Sequence, residues 1–163
     1  MVILGIDPGI GRMGWGVIEV ESGKLKVESF GCLETDPKHP IEERLLEVYK
    51  HVSGLIKKYK PDALATEELF FNTNAKTAMM VGQARGVVIV CGAINRIPTF
   101  SYTPLEVKIA LTGYGRAEKG QIGQMIKIIL GLPAVPKPDD TSDALAVGIA
   151  HANSYKLNLK VQR

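Results

Sequence analysis

The sequence predicts an α/β fold, a five-stranded mixed sheet flanked by helices on both faces. Three observations carry this expectation. Residues 1–34 hold three successive runs of strand character, later strands alternate with helical segments, and the opening run is apolar on both sides, as a central strand covered from two directions must be. The chain has 163 residues, 45% of them hydrophobic, which suits one domain with a real core. The domain is expected over residues 1–155, with 156–163 as a C-terminal tail. No internal repeat or low-complexity segment is visible.

The elements follow in order. VILGI is the first strand and ends at Asp7, where Asp-Pro-Gly breaks it. MGWGVIEV and KLKVESFGCLE are the next two, separated by ESGK, whose Ser-Gly suits a hairpin turn. IEERLLEVYKHVSGLIKKY spaces Ile41, Leu45, Val48, Val52, Leu55 and Ile56 three or four apart, as one face of a helix requires, and Pro61 stops it. ALATEEL is a fourth strand. A long apolar helix lies within FFNTNAKTAMMVGQARGVVIVCGAIN, starting near Asn74 as N-cap, and TFSYT is the fifth strand. PLEVKIALTG opens a helix with proline, AEKGQIGQMIKIIL is amphipathic, and DDTSDALAVGIAHANSY forms a last helix after a proline-rich connector.

Composition excludes several function classes. Cys32 and Cys91 are far apart and belong to no Cys/His cluster, so a thiolate metal site is not expected; both read as reduced core residues. No continuous apolar run approaches the roughly 20 residues of a membrane helix, and the N-terminus lacks a signal-peptide layout. A cytoplasmic protein with no membrane partner is expected. The net charge of +3 permits a polyanionic partner without requiring one.

The acids are more informative. Asp7 closes a buried strand, where a carboxylate is costly unless a donor, a cation or a metal compensates it, although Asp-Pro-Gly is also ordinary turn chemistry. Glu67 closes the fourth strand in the same way, with Glu68 next to it. Adjacent strand residues face opposite sides, so only one of the two can share a face with Asp7, and alternation does not say which. In PDDTSDALAVGIAHA, Asp139 or Asp140 can cap the helix and Asp143 lies in its first turn, placements that the helix dipole alone would favour. Asp140 and Asp143 are three apart and project to one side, while the small apolar ALAVGIA lets this helix press closely on a sheet. Carboxylates gathered from three segments repel unless divalent cations bind between them. Oxygen-only ligands point to magnesium or manganese, and a pair of such ions is a standard device for cleaving phosphodiesters.

GIDPG, PDALATEELFF, NAKTAMMVGQARGVV, GYGRAEKGQI and DDTSDALAVGIAHA, in this order and over nearly the whole chain, resemble the RuvC family of Holliday-junction resolvases. The resemblance implies an RNase H-like fold and a homodimer that hydrolyses two symmetric strands of a four-way DNA junction with divalent metal, two Mg2+ ions per site with Mn2+ as a substitute. It implies roles in recombination and repair, and a branch-migration motor as partner. By position, Asp7, Glu67, Asp140 and Asp143 match the family acids, which selects Glu67 over Glu68; Asp7 would bridge the metals. Phe70 matches an aromatic near the junction centre, where stacking on a base is worth about 1–3 kcal/mol; of Phe70 and Phe71, one is expected in the core. Lys108 and Lys119 match basic residues near the scissile phosphate, and Arg116 is added by proximity. Some relatives place a histidine where Asp140 stands; His39, His51 and His151 match no catalytic position. Gly82 and Gly86 lie on the long helix that the resemblance places at the dimer seam. An RNA-processing relative of the same fold and an actin-like nucleotide-binding fold compete with this reading, but GQARG and AEKxQ disfavour the first and chain length the second.

Overall fold

The computed structural model describes residues 1–68 and 75–161. Strands β1 (Val2–Asp7), β2 (Arg12–Glu21), β3 (Lys24–Glu34), β4 (Ala63–Glu67) and β5 (Thr99–Tyr102) form one sheet in the order β3-β2-β1-β4-β5. The first three strands meander antiparallel, whereas β1–β4 and β4–β5 are parallel. The connecting helices are α1 (Ile41–Tyr59), α2 (Ala75–Ile94), α3 (Pro104–Thr112), α4 (Lys119–Leu130) and α5 (Asp139–Val161). This is the five-stranded mixed sheet that the sequence predicts.

Alternation along the strands builds two cores. Leu4, Ile6, Met13, Val17 and Leu64 face α1 and α2, meeting Val48, Val52, Leu55 and Ile56 from the first and Val88 and Cys91 from the second. Ile3, Ile18 and Ala65 face the other way, into a core completed by α3, α4 and α5 through residues such as Leu111, Ile126, Leu145 and Ile149. Each fully buried aliphatic side chain contributes about 1.5–3 kcal/mol relative to exposure, which offsets the entropy of ordering the sheet.

Several expectations change in detail. Ile41, placed by periodicity on the buried face of α1, is exposed because it starts the helix before the sheet is reached. Arg44 is buried instead, its Nε donating to Thr35 Oγ1 at 2.9 Å. Cys32 is only half-buried, while Cys91 lies in the core; both are free thiols. The last helix begins at Asp139 and continues to Val161, so Asp139 and Asp140 occupy its first turn rather than its cap, and residues 156–161 prolong the helix. Asn74, expected as a cap, lies outside the described residues, as do Phe70 and Phe71.

One exclusion also needs correcting. Within α2, the 18-residue stretch Thr77–Ile94 is long and apolar enough by composition to cross a membrane, because Arg85 is its single charge among many alanines and valines. Ala84, Val88 and Cys91 bury one side of α2, and Arg85 Nη2 donates to Ser101 Oγ on β5 at 2.6 Å. The opposite side exposes Met79, Ile89, Val90 and Ile94.

The seating of α5 positions everything that follows. A β-carbon on Gly14 of β2 would overlap the carbonyl oxygen of Asp140, and one on Gly5 of β1 would overlap that of Ala144. A β-carbon on Gly148 of α5 would come within 2.9 Å of Ile18 Cδ1. Helix backbone thus rests directly on strand backbone, a separation only glycine permits at these points. Gly14→Ala is expected to lose about 1–3 kcal/mol of stability in urea denaturation by displacing the first turn of α5; an unchanged midpoint would show that the helix is not seated this closely.

Candidate active site

One row of residues crosses the sheet where β1 ends. Gly14 pairs with Cys32 on one side and Asp7 on the other, and Glu67 pairs with Tyr102. The parallel register of β1 on β4 runs to Ile6 opposite Thr66, and its next step brings Asp7 beside Glu67. The side of the sheet is set by the same alternation that built the cores. Ala65 faces α5 and Leu64 faces away, so Glu67 points to the α5 side with Asp7, and Glu68 to the reverse. Glu68 is exposed, and its amide donates to the Tyr102 carbonyl at 2.8 Å.

Above this row sits the first turn of α5. Gly14 leaves room for the Asp140 backbone against the sheet, and Ser142 Oγ donates to the Pro136 carbonyl at 2.8 Å, fixing the proline-rich connector to the turn. The acids from the three segments therefore feel one another. Burial first, then the charges of Asp143, Glu67 and Asp140, push the Asp7 carboxyl up to about 7, against an opposing pull from Lys119. Glu67 is raised by burial and by Asp143, while Lys119 and Lys108 oppose. Asp143 is raised as well, again by burial foremost, with Lys119 opposing. Asp140 stands on the β3 side, where its charge adds to the burial that raises the Cys32 thiol.

Two helix starts deliver the cations. Thr103 caps α3, its Oγ1 accepting from the Glu106 amide at 3.2 Å while Glu106 Oε2 accepts from the Thr103 amide at 2.7 Å, a reciprocal box that aims Lys108. Before α4, Gln121 Oε1 accepts from the Glu118 amide at 2.8 Å, and Lys119 follows as the first residue of the helix. Lys119 Nζ lies 3.1 Å from Asp139 Oδ2 and 3.5 Å from Asp143 Oδ2. Glu67, Lys108, Lys119 and Asp143 surround a cavity of about 280 Å3 whose other wall is apolar, formed by Val107, Ile122 and Ala146.

The structure thus brings Asp7, Glu67, Asp140 and Asp143 together with Lys108 and Lys119. Arg116 is exposed on the loop between α3 and α4 and does not line the cavity. Phe70 lies outside the described residues. His39 is exposed beside Glu47, His51 is half-buried against Trp15, and His151 is buried with Nδ1 at 2.7 Å from the Tyr102 hydroxyl. Sequence reasoning missed two features: the spacer glycines of β1 and β2, which glycines at alternate strand positions could have flagged, and the pairing of Asp139 with Lys119, which no local pattern announces. The donor set suits a hard dication, being all carboxylate oxygen, mutually repelling and short of positive charge. Among the described residues no three such side chains close tightly enough to enclose an ion by themselves.

The sequence model of "Crossover junction endodeoxyribonuclease RuvC" matches residues 3–151. The chain belongs to the RuvC family. Crossover junction endodeoxyribonucleases RuvC from Alkaliphilus metalliredigens and Desulforamulus reducens are each 53% identical to it, over 94% and 93% of both chains respectively. The RuvC structure of Thermus thermophilus superposes with a TM-score of 0.91 at 36% identity, covering 97% of each chain. A second structure, of Thermus thermophilus RuvC in complex with Holliday junction substrate, gives 0.89 at 34% identity over 96% of each chain. The fold expected from the RuvC resemblance is therefore present along the whole sheet.

The raised acids have a consequence for stability. With Asp7 near 7 in the folded chain against an ordinary value of 3.8, the folded protein binds the extra proton, and stability is lost as pH rises through that window. In EDTA, Asp7→Asn should match wild type near about pH 4 and exceed it by on the order of 1–3 kcal/mol near about pH 8. Urea denaturation at the two pH values measures this, and a pH-independent difference would refute it.

Proposed function

We propose that this RuvC chain is a structure-selective endonuclease that resolves four-way DNA junctions by paired, symmetric phosphodiester hydrolysis, leaving 5'-phosphate and 3'-hydroxyl ends. The observation that carries the reading is that Asp7 feels the charges of Asp143, Glu67, Asp140 and Lys119 beside a cleft lined by Glu67, Asp143, Lys108 and Lys119, in a chain of this family. Ends of this kind are ligatable, as recombination and repair require.

The four acids are proposed as ligands for two Mg2+ ions, with Mn2+ as a substitute. When bound, such ions supply the concentrated positive charge that activates water and stabilises the leaving oxygen. Asp7, central in the row, pairs with Gly14 of β2 and lies one step past the Ile6–Thr66 pair that joins β1 to β4. Its high pKa marks a carboxylate that is buried and, secondly, surrounded by like charge, and a cation would return it to the ionised form. Glu67 and Asp143 form the side nearer α3, where Lys108 and Lys119 can meet a phosphate and balance charge that develops on it.

Paired cuts on a symmetric junction call for two sites related by a twofold axis. The uncovered side of α2, with Met79, Ile89, Val90 and Ile94, supports a homodimer seam there. Phe70 is proposed to stack on a base at the junction centre, Arg116 to contact the DNA backbone, and a branch-migration motor to act as partner in the cytoplasm.

Incubation with a synthetic four-way junction and Mg2+, reading cut positions on every strand, tests the reading directly. Asp7→Asn and Glu67→Gln should each abolish cutting while junction binding in a gel-shift assay persists, because ligand charge is lost but the basic surface remains. Glu68→Gln, on the reverse side of the sheet, should cut within about 3-fold of wild type; loss of activity there would reverse the choice between the two glutamates. Lys119→Ala should slow single-turnover cleavage by roughly 10- to 1000-fold, and an unaltered rate would dismiss its role.

A further inference from the structure

Lys119 has two anionic partners of different kinds. Asp143 belongs to the acid cluster and lines the cleft, whereas Asp139, at the outer edge of the first turn of α5, has a side chain 72% exposed and does not line it. The ammonium is nearer Asp139, at 3.1 Å, than Asp143, at 3.5 Å. It is also the first residue of α4, where the helix dipole disfavours a cation, so the helix does not hold it there; the two carboxylates do. Desolvation lowers the lysine pKa, but the hydrogen bond to Asp139 and the charge of Asp143 outweigh it, and Lys119 stays firmly protonated. Its charge opposes the upward shifts of Asp7, Glu67 and Asp143 alike.

Lys119 is thus the internal counter-ion of the acid cluster. Any divalent cation that uses Asp143 must compete with it. A lysine with Asp143 as its single anchor would have to give up that partner entirely when the site fills. Asp139 changes this competition by offering a second anchor outside the cluster.

We propose that Asp139 is a positioning residue that draws Lys119 off Asp143, easing divalent-cation entry while keeping the ammonium at the rim of the cleft. This inference rests on the reading of Asp7, Glu67, Asp140 and Asp143 as metal ligands. Asp139 touches no reacting atom; its charge also reaches Asp143 directly, and the proposed role is the part that passes through Lys119.

The test is a double-mutant cycle on metal affinity in the whole chain without DNA, with Mn2+ as the probe and loss of the free-ion electron paramagnetic resonance signal as the readout. Asp139→Asn should weaken Mn2+ binding by roughly two- to five-fold, the scale of one exposed ion pair, because Lys119 then falls wholly on Asp143. Lys119→Gln should tighten binding by a similar factor. In the Lys119→Gln background, Asp139→Asn should have a clearly smaller effect, the direct pull of its charge on Asp143 being all that remains. If Asp139→Asn weakens binding equally in both backgrounds, it acts as a bulk negative charge and the inference is overturned; no effect in either background also overturns it. If wild-type protein takes up Mn2+ no better than Asp7→Asn, the metal-ligand reading itself has failed, a different result from an uncoupled cycle.

Discussion

Backbone rests on backbone where α5 crosses β1 and β2. Gly5 and Gly14 leave no space for a side chain beneath Ala144 and Asp140, so the helix lies closer to the sheet than the usual layer of side chains would allow. That contact fixes the height of the first turn of α5 over the strand ends. Asp140 is carried to the β3 side of Asp7 and Asp143 to the side nearer α3, and the rest of the cleft is assembled around them.

Such a contact is needed because the groups it gathers repel. Four carboxylates meet at one end of the sheet, and the central one, Asp7, is raised to about 7 by burial and by its neighbours. Left to electrostatics, the first turn of α5 would lift away. The core beneath the same helix, including Leu145, Val147, Ile149 and Ala150, all fully buried, holds it down. Folding energy spent there maintains a cluster of mutually repelling carboxylates, the usual relation between stability and function at charged centres.

The two sides of the sheet divide the work. On the α5 side lie the acids, the capped starts of α3 and α4, and the lysines these helices deliver. The other side holds a conventional apolar core under α1 and α2, with an uncovered apolar strip on the outer surface of α2. Because β1, β4 and β5 are parallel, their C-terminal ends open at one edge, and loops leading into α3 and α5 converge there without crossing the core. Cleft and apolar strip thus lie on opposite sides of one sheet.

Much of this was written locally. The amphipathic spacing in α1 and the strand-then-helix order follow from chain periodicity, and motif spacing named the family, so α1 spans the residues expected of it. Periodicity failed where it gives only relative facing: Glu67 and Glu68 were known to oppose each other, but which one joined Asp7 depended on pairing with β1 and on which helices covered each face. Ile41 fitted the apolar face of α1 in sequence yet lies beyond the sheet it was meant to cover. The salt link from Asp139 to Lys119 joins residues distant in the chain through the packing of α4 and α5, and nothing local encodes it. The sequence by itself determined the elements, the acids and the family, because these depend on neighbours along the chain; tertiary structure alone decided which face, which partner and how close, because those depend on contacts between segments.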